Sequence, residues 1–422
     1  MNDDELRQIL VDQREELVLP APTGRWVPRA KEAELRAALA RPLVKVIMGP
    51  RRAGKSVLAR LALASRDYGY VNFDDERLAT LTAPDLRRVE KALASVSPVA
   101  RILFLDEVQN VPGWELFVNR LQRQGFNLVV TGSNSKLLSL ELATHLTGRY
   151  LSVELLPFSF AEVLAARGVT RPRTTAERGR AAAALEAYGR EGGFPEVVLS
   201  GYSAPYLREL HDKVVTRDIA GRHRLKYHRT LKELSLYCFA NPATRVTYNS
   251  IQRTFELRSV HTAKSYLHFL EEGYLVFLVS PFAFKVREQV KQARKVYTVD
   301  NGLTTALTTK VTQDRGALLE NLVFQELRRR GADVFTWSRP DGEVDFLVRE
   351  GRGVAQLIQV CAGLDTAEAV SREYHALRKA AAATRCRDLL IITRDGAAPP
   401  RLLVPRGAAV EVKAAWQWLL EG

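Results

Sequence analysis

The sequence predicts an α/β protein whose first large unit is a parallel sheet flanked by helices, and three observations predict it. A short apolar run, Val44 to Met48, leads directly into Gly49-Pro-Arg-Arg-Ala-Gly54-Lys55-Ser56, a full match to G-x-x-x-x-G-K-[ST]. A helical pattern then runs from Ser56 through Leu63. Four further apolar runs follow at spacings suited to β-α units: Tyr70–Phe73, Arg101–Leu105, Asn127–Thr131 and Tyr150–Leu155. Helical stretches, including Leu86–Leu93 and Trp114–Arg123, lie between them. Strands alternating with helices imply a parallel sheet covered on both faces.

The glycine-rich turn carries the chemistry. Strand, glycine turn and helix start occur together, which is the context a phosphate-binding loop needs. Its glycines let backbone N–H groups turn inward, and the helix start adds its positive dipole end. Gly49, Pro50, Arg51, Arg52, Ala53, Gly54, Lys55, Ser56 and Val57 are therefore expected to cradle the triphosphate of ATP. Lys55 would reach the β- and γ-phosphates, and Ser56 would offer its hydroxyl to Mg²⁺.

Ligands of open parallel sheets sit beyond the carboxyl ends of the strands. Asp106 and Glu107 end the third apolar run at that edge. Asp106 is expected to hold Mg²⁺ together with Ser56, and Glu107 to act as the base that polarises water. Ser133 and Asn134 end the next run, where one of them would contact the γ-phosphate or the attacking water; a plain polar turn is the other reading. Arg149 is a candidate arginine finger, in its own chain or for a neighbour, with a surface arginine as the alternative.

This part of the chain resembles a bacterial and archaeal family of AAA+/STAND-like P-loop ATPases that carry a C-terminal winged-helix and nuclease-like region. The resemblance rests first on Gly49-Pro-Arg-Arg-Ala-Gly-Lys-Ser56, Leu103-Phe-Leu-Asp-Glu107, Thr131-Gly-Ser-Asn134, Gly148-Arg-Tyr150 and Leu156-Pro-Phe-Ser-Phe-Ala-Glu162. It continues in Gly192-Gly-Phe-Pro-Glu196, Thr216-Arg-Asp-Ile219 and Val296-Tyr-Thr-Val-Asp-Asn-Gly302, and so covers nearly all of the chain from about residue 30. It implies a P-loop NTPase parallel sheet followed by a helical lid, a winged helix-turn-helix and a restriction-endonuclease-like α/β domain. The later motifs mark the family without known chemistry.

The 422 residues are too many for one core. The expected division is an N-terminal helix and linker (1–30), the P-loop core (31–158), a helical lid or connector (159–229), a winged helix (230–312) and a nuclease-like domain (313–422). Residues 1–18 read as a short helix, and Arg25 and Trp26 have no assigned chemistry beyond packing, against a base or at a hinge. An apolar share of 46% and a charged share of 26% are those of an ordinary globular chain. The three cysteines have no metal-type spacing, which fits a reducing cytoplasm. No signal peptide is expected in MNDDELRQIL, and the longest apolar stretch, Tyr274 to Phe284, is too short for a bilayer. The net charge of +14 favours a polyanionic partner, DNA above all, or else an anionic membrane surface, with simple basicity as the alternative.

The connector carries a basic cluster of Arg208, Lys213, Arg217, Arg222, His223, Arg224, Lys226 and Arg229. It could track a phosphate backbone, form a solvated face or make a subunit contact. Beyond it, helices at Leu231–Ala240, Tyr248–Phe255 and Val260–Glu272 precede strands at Leu275–Val279 and Val296–Val299, the outline of a winged helix-turn-helix. The third helix would present Ser259, His261, Thr262, Lys264, Ser265 and His268 to a major groove. The loop residues Lys285, Arg287, Lys291, Arg294 and Lys295 would bind phosphates. A protein-docking role is the alternative for such a module.

After Gly316 the order is helix, three strands, helix and strand: Ala317–Arg330, Val334–Trp337, Glu343–Val348, Ala355–Val360, Ala367–Ala382 and Asp388–Thr393. This order, with Glu320, Glu343 and Asp345, resembles the PD-(D/E)xK nuclease fold, whose carboxylates and lysine hold a divalent metal and activate water. Here Asp345 matches, but the remaining positions read Gln359-Val360-Cys361. A neutral amide is a weaker ligand for a hard cation, and a thiol supplies no ammonium. The resemblance thus supports the fold, and nuclease activity is not expected.

Three functions follow for testing. The leading one is an Mg-ATP-hydrolysing ATPase that couples nucleotide state to DNA-binding C-terminal domains, as a monomer, a dimer or a ring. The others are an ATP-dependent, metal-dependent DNA nuclease and a nucleotide-switched scaffold without catalysis.

Overall fold

The computed structural model describes residues 1–17, 26–133, 148–169, 172, 174–201, 204–225, 228–283, 285, 292–308, 315–339, 342–364, 366–396 and 410–421. They form two compact units, Met1–Pro157 and Phe158–Gly422. Asn134, Arg287 and Lys291, together with Arg25 and Lys226, lie outside the described residues.

In the first unit, helix α1 spans Asp3–Glu16. Asn2 starts it by accepting from Glu5 N at 2.8 Å while Glu5 Oε2 accepts from Asn2 N at 2.7 Å, a reciprocal cap that satisfies two helix-end donors. Its apolar positions Leu6, Ile9 and Leu10 join the core of the sheet, so α1 is part of this unit and not a free arm. Helix α2 (Lys31–Ala38) precedes strand β1 (Val44–Met48), and α3 (Lys55–Leu63) follows it. The unit continues through β2 (Tyr68–Asn72), α4 (Leu86–Val96), β3 (Ile102–Asp106), α5 (Trp114–Arg123), β4 (Asn127–Gly132) and β5 (Tyr150–Glu154).

The five strands are parallel in the order β2-β3-β4-β1-β5. Strand β3 is buried along its whole length, which is why it reads as a continuous apolar run. Because β4 lies between β1 and β3, the ends of three different strands meet at one edge. Each predicted strand is present, with ends displaced by one or two residues.

In the second unit, α6 (Phe160–Ala166) begins at a reciprocal cap between Ser159 and Glu162, which gives the Leu156-Pro-Phe-Ser-Phe-Ala-Glu162 motif a structural meaning. Helices α7 (Thr175–Glu191), α8 (Pro195–Ser200) and α9 (Ala204–Lys213) follow, and α9 runs into a wide π-helical segment, Val214–Gly221, that contains Thr216-Arg-Asp-Ile219. Then come α10 (His228–Ala240), β6 (Thr244–Val246), α11 (Tyr248–Thr254), α12 (Val260–Glu272), β7 (Val276–Val279) and β8 (Arg294–Thr298). The three strands form an antiparallel sheet ordered β6-β8-β7. Sequence reasoning missed β6, because three residues are too few to display a period of two. It also began β8 two residues late, which left Arg294 and Lys295 in a loop instead of in the central strand.

Helix α13 (Asn301–Leu307) holds the Val296-Tyr-Thr-Val-Asp-Asn-Gly302 motif against Gly192-Gly-Phe-Pro-Glu196. Asp300 Oδ2 accepts from Gly193 N at 2.7 Å and its Oδ1 from Leu303 N at 3.1 Å. A Cβ on Gly192 would stand 2.0 Å from Asp300 Oδ1, and one on Gly193 would stand 2.3 Å from the Phe158 carbonyl oxygen. The two glycines are thus required by close approach, and these motifs are a packing joint.

The remainder comprises α14 (Arg315–Arg329), β9 (Asp333–Arg339), β10 (Gly342–Glu350), β11 (Gly353–Cys361), α15 (Ala367–Thr384), β12 (Leu389–Thr393), β13 (Val410–Ala414) and α16 (Ala415–Trp418). Its sheet runs β13-β12-β11-β10-β9, antiparallel from β9 to β11 and parallel from β11 to β13. Among the described residues, no helix is long and apolar enough to cross a membrane.

Candidate functional site: the carboxyl edge of the parallel sheet

The glycine loop leaves β1 under a steric constraint. A Cβ at Gly49 would come within 2.0 Å of the Leu155 carbonyl oxygen, so only glycine lets the loop pass the chain that follows β5. Gly54 sits at φ 91°, the left-handed region that glycine adopts without strain, and starts α3 with no side-chain cap. The first N–H groups of α3 are therefore left to a ligand, the arrangement in which a helix start binds anions. Arg29, buried, donates to the carbonyls of Ala53 and Leu156, both at 2.8 Å, and braces the loop from behind. Sequence reasoning did not single out Arg29; nothing in its local pattern marks it.

Lys55 is buried, and its Nζ donates to the carbonyls of Gly49 at 3.2 Å and Pro50 at 3.1 Å. The same ammonium lies 3.5 Å from Glu107 Oε1. Ser56 Oγ donates to Asp106 Oδ1 at 3.0 Å. Asp106 Oδ1 also accepts from Thr131 Oγ1, while its Oδ2 accepts from Tyr70 OH at 3.2 Å. Thr131 Oγ1 in turn accepts from the Glu107 N–H at 2.9 Å. One threonine hydroxyl thus fixes both acids. Thr131 and Tyr70 had no assigned role from sequence. Thr131 ends the fourth apolar run, and its hydroxyl carries no local mark of its partners on β3.

Glu107 adopts φ 50°, a left-handed conformation that is uncommon for a residue with a side chain and recurs at functional sites. Burial raises the Asp106 pKa to about 6, with the neighbouring Glu107 charge adding to it against the Thr131, Ser56 and Lys55 contacts. Burial also works on Glu107, but Lys55, the Gln109 amide and Arg51 outweigh it and hold its pKa below the usual glutamate value. The pair is split, with one acid inclined to hold a proton and the other held charged. Two oxygen donors 3.0 Å apart, Ser56 Oγ and Asp106 Oδ1, suit a hard cation such as Mg²⁺.

Other predicted residues fall as follows. Arg51 Nη2 lies 3.4 Å from Asp74 Oδ2, Arg52 has a left-handed backbone at φ 66°, and Pro50, Ala53 and Val57 belong to the loop and first turn. Buried Ser133 follows β4 at the same edge. Arg149 does not lie there. Its carbonyl accepts from Val44 N at 3.0 Å, at the opposite, amino edge of β1 and β5. Five strand residues at about 3.3 Å each separate that edge from the loop, roughly 16 Å, beyond the reach of one side chain. A role for Arg149 at the loop of its own chain is therefore ruled out by strand geometry.

In the second unit, His261 and Lys264 are exposed on α12, and Ser259 is engaged in capping it, accepting from Thr262 N at 3.1 Å. Lys285 is also exposed. Arg294 lies over the Tyr248 ring at 5.2 Å and bonds its hydroxyl. Lys295 is buried, with its Nζ 2.7 Å from Glu320, 2.8 Å from Asp345 and 3.2 Å from Glu343, so it is not a phosphate contact. Glu320, Asp345 and Gln359 do come together. Gln359, however, accepts from the Asp345 N–H at 3.3 Å through its side-chain oxygen and so has that oxygen occupied.

The sheet order, the glycine loop and the paired acids define a P-loop protein of the AAA class, and residues 41–164 match the family described as AAA domain. Residues 182–314 and 315–402 match two domains of unknown function, DUF8612 and DUF4143. The uncharacterized protein MJ1544 of Methanocaldococcus jannaschii is 33% identical over 397 residues, covering 89% of this chain and 88% of its own. An uncharacterized protein of Haemophilus influenzae is 33% identical over 324 residues, covering 73% of this chain and 80% of its own. The chain belongs to the family of these two proteins. Two solved structures superpose weakly. The Walker-type ATPase PABY2304 of Pyrococcus abyssi has a TM-score of 0.44 at 17% identity, covering 69% of this chain and 98% of that one. The STAND protein PH0952 of Pyrococcus horikoshii, with a tetratricopeptide repeat sensor, has a TM-score of 0.29 at 15% identity, covering 72% and 46%.

Proposed function

We propose that the chain is an Mg²⁺-dependent ATPase. The observation that carries this is the convergence of Lys55, Ser56, Thr131, Asp106 and Glu107 on one edge of the sheet, beside an uncapped helix start. ATP is the substrate, and its triphosphate takes the loop amides from Gly49 to Val57. Lys55 leaves the loop carbonyls and Glu107 for the β- and γ-phosphate oxygens. Ser56 and Asp106 would hold Mg²⁺, which when bound neutralises phosphate charge. Glu107, released from Lys55 but still fixed through its N–H by Thr131, accepts the proton of the attacking water. Ser133 orients that water from the end of β4, with Asn134 the other residue proposed for this task.

The reading extends to the second unit. Residues 228–298 run helix, strand, helix, helix, strand, strand, with the sheet ordered β6-β8-β7, which supports a winged helix. Residues 315–414 place an antiparallel β9-β10-β11 set before parallel β12, which supports the nuclease-like fold. DNA is the proposed partner of the winged helix, on the strength of the net charge of +14 and the exposed His261, Lys264 and Lys285. Nucleotide state would be coupled to that partner. Arg149, at the sheet edge opposite its own loop, would serve a neighbouring copy in a dimer or ring. An ATP-consuming chain of this kind belongs with the cytoplasmic nucleotide pool.

Phosphate release from ATP tests the first part. It should require Mg²⁺ and vanish with EDTA; release that is indifferent to EDTA would contradict the proposed roles of Ser56 and Asp106. Duplex DNA binding tests the second. It should weaken with salt and with Lys264→Ala, and binding indifferent to both would contradict the groove assignment.

A further inference from the structure

The resemblance of residues 315–414 to a nuclease implies a divalent metal among Glu320, Asp345 and Gln359. The residues present do not fit one. Lys295 enters from β8, the central strand of the three-stranded sheet, and its Nζ lies between three carboxyl groups: Glu320 of α14 at 2.7 Å, Asp345 of β10 at 2.8 Å and Glu343 of β10 at 3.2 Å. The ammonium donates to Asp345 Oδ1 and lies within ion-pair distance of the other two carboxyl groups.

These acids also have partners beyond the ammonium. Asp345 Oδ2 accepts from Val360 N at 3.0 Å, Glu320 Oε1 from Tyr297 OH at 2.5 Å, and Glu343 Oε1 lies 3.1 Å from Arg245 Nη2. Gln359 has its side-chain oxygen on the Asp345 amide. A divalent ion would need these oxygens at about 2.0–2.6 Å, in space the ammonium occupies, and would meet the ammonium's charge across a buried gap. Among the described residues, no group of three or more His, Cys, Asp or Glu side chains is arranged to hold a metal.

We propose that Lys295 is the built-in cation of this carboxylate cluster, taking the place of a divalent metal and turning the nuclease-like centre into a metal-free clamp. The clamp fastens the three-stranded sheet to the C-terminal sheet. Two neighbouring links share that line: Arg245 of β6 donates to Ser338 Oγ at 2.6 Å, and Thr336 of β9 exchanges backbone bonds with Ser280 at 3.1 Å and Phe282 at 2.7 Å. Burial disfavours the Lys295 ammonium, but Asp345, Glu320 and Glu343 outweigh it and hold its pKa above the ordinary lysine value. Removing one member of such a buried cluster leaves the others uncompensated, which is costly.

Mn²⁺ uptake by the nucleotide-free full-length chain, followed by electron paramagnetic resonance, tests this. Wild type should take up no Mn²⁺ beyond what Ser56→Ala removes. Uptake that survives Ser56→Ala would overturn the proposal without any change to the cluster. Lys295→Ala should lose more than about 5 °C in Tm and regain it with Mn²⁺, binding the ion where the ammonium stood. The double variant Lys295→Ala, Asp345→Asn should lose that uptake. A Lys295→Ala chain indifferent to Mn²⁺, whether folded or not, would overturn the replacement of metal by lysine. These outcomes are read without ATP turnover, so they stand apart from the ATPase reading.

Discussion

Lys55 Nζ lies 3.5 Å from Glu107 Oε1, so the lysine proposed for phosphate and the acid proposed for water neutralise each other in the ligand-free chain. Both side chains are largely buried, at 4% and 17% exposure, so the pair is not a surface ornament. On the proposed function ATP takes Lys55 from Glu107, and this exchange frees the already charged carboxylate for water only when substrate is present. Lys55→Ala should therefore abolish ATP binding in a fluorescent-nucleotide titration while leaving the chain folded. Unchanged affinity in that titration would contradict the loop assignment.

The pH dependence follows from Asp106. Its pKa of about 6 lies above the ordinary aspartate value of 3.8 because the carboxyl is buried. A raised acid pKa means that the folded, ligand-free state favours the proton. The resulting stabilisation, on the order of 3 kcal/mol, is full below the ordinary value and is lost as pH rises through about 6. Mg²⁺ needs the ionised form, so proton and metal compete. Mg-ATP affinity should fall as pH drops below about 6, and Asp106→Asn should give weak, pH-independent binding. A flat profile in wild type would show that Asp106 does not titrate at the site.

Thr131 ties the two acids together through one hydroxyl. Thr131→Val keeps the volume but leaves the Glu107 N–H without its acceptor and removes one of three side-chain donors to Asp106. Each such loss costs about 1–3 kcal/mol. Turnover should fall at least ~10-fold, with a smaller change in KM, because the hydroxyl positions the acids and does not touch substrate. Wild-type turnover in Thr131→Val would remove Thr131 from the site.

Much of this was legible in the sequence, for physical reasons that differ by region. The parallel sheet announced itself because β1 and β3 are buried almost throughout and so read as apolar runs, broken only by Lys45, whose ammonium reaches the Arg41 and Leu43 carbonyls, and by Asp106 at the site edge. The loop was legible because close approach at Gly49 and the left-handed turn at Gly54 admit one residue type. Long-range partners were not. Arg29 braces the loop from a stretch with no pattern of its own, and Tyr70 meets Asp106 only because β2 pairs with β3. Whether Arg149 serves its own chain or a neighbour stayed open because a sequence does not reveal which edge of a sheet a residue occupies.

Lys295 is the clearest lesson. It stands in a basic run, which reads as a solvent-exposed wing, yet it lies two residues before Tyr297, so both point to one face of β8. Tyr297 is fully buried and β8 is buried from Lys295 to Thr298, so the lysine goes inward with the strand. Strand β13 and helix α16, absent from the sequence reading, complete the C-terminal sheet after a stretch outside the described residues.

Side-by-side phosphate release and nucleotide retention by wild type and Glu107→Gln is the most direct measurement of the central claim. The amide keeps the shape but loses the basic oxygen, so turnover should fall ~100-fold or more while ATP remains bound. Equal phosphate release from the two chains would contradict Glu107 as the base, and with it the hydrolytic site described here.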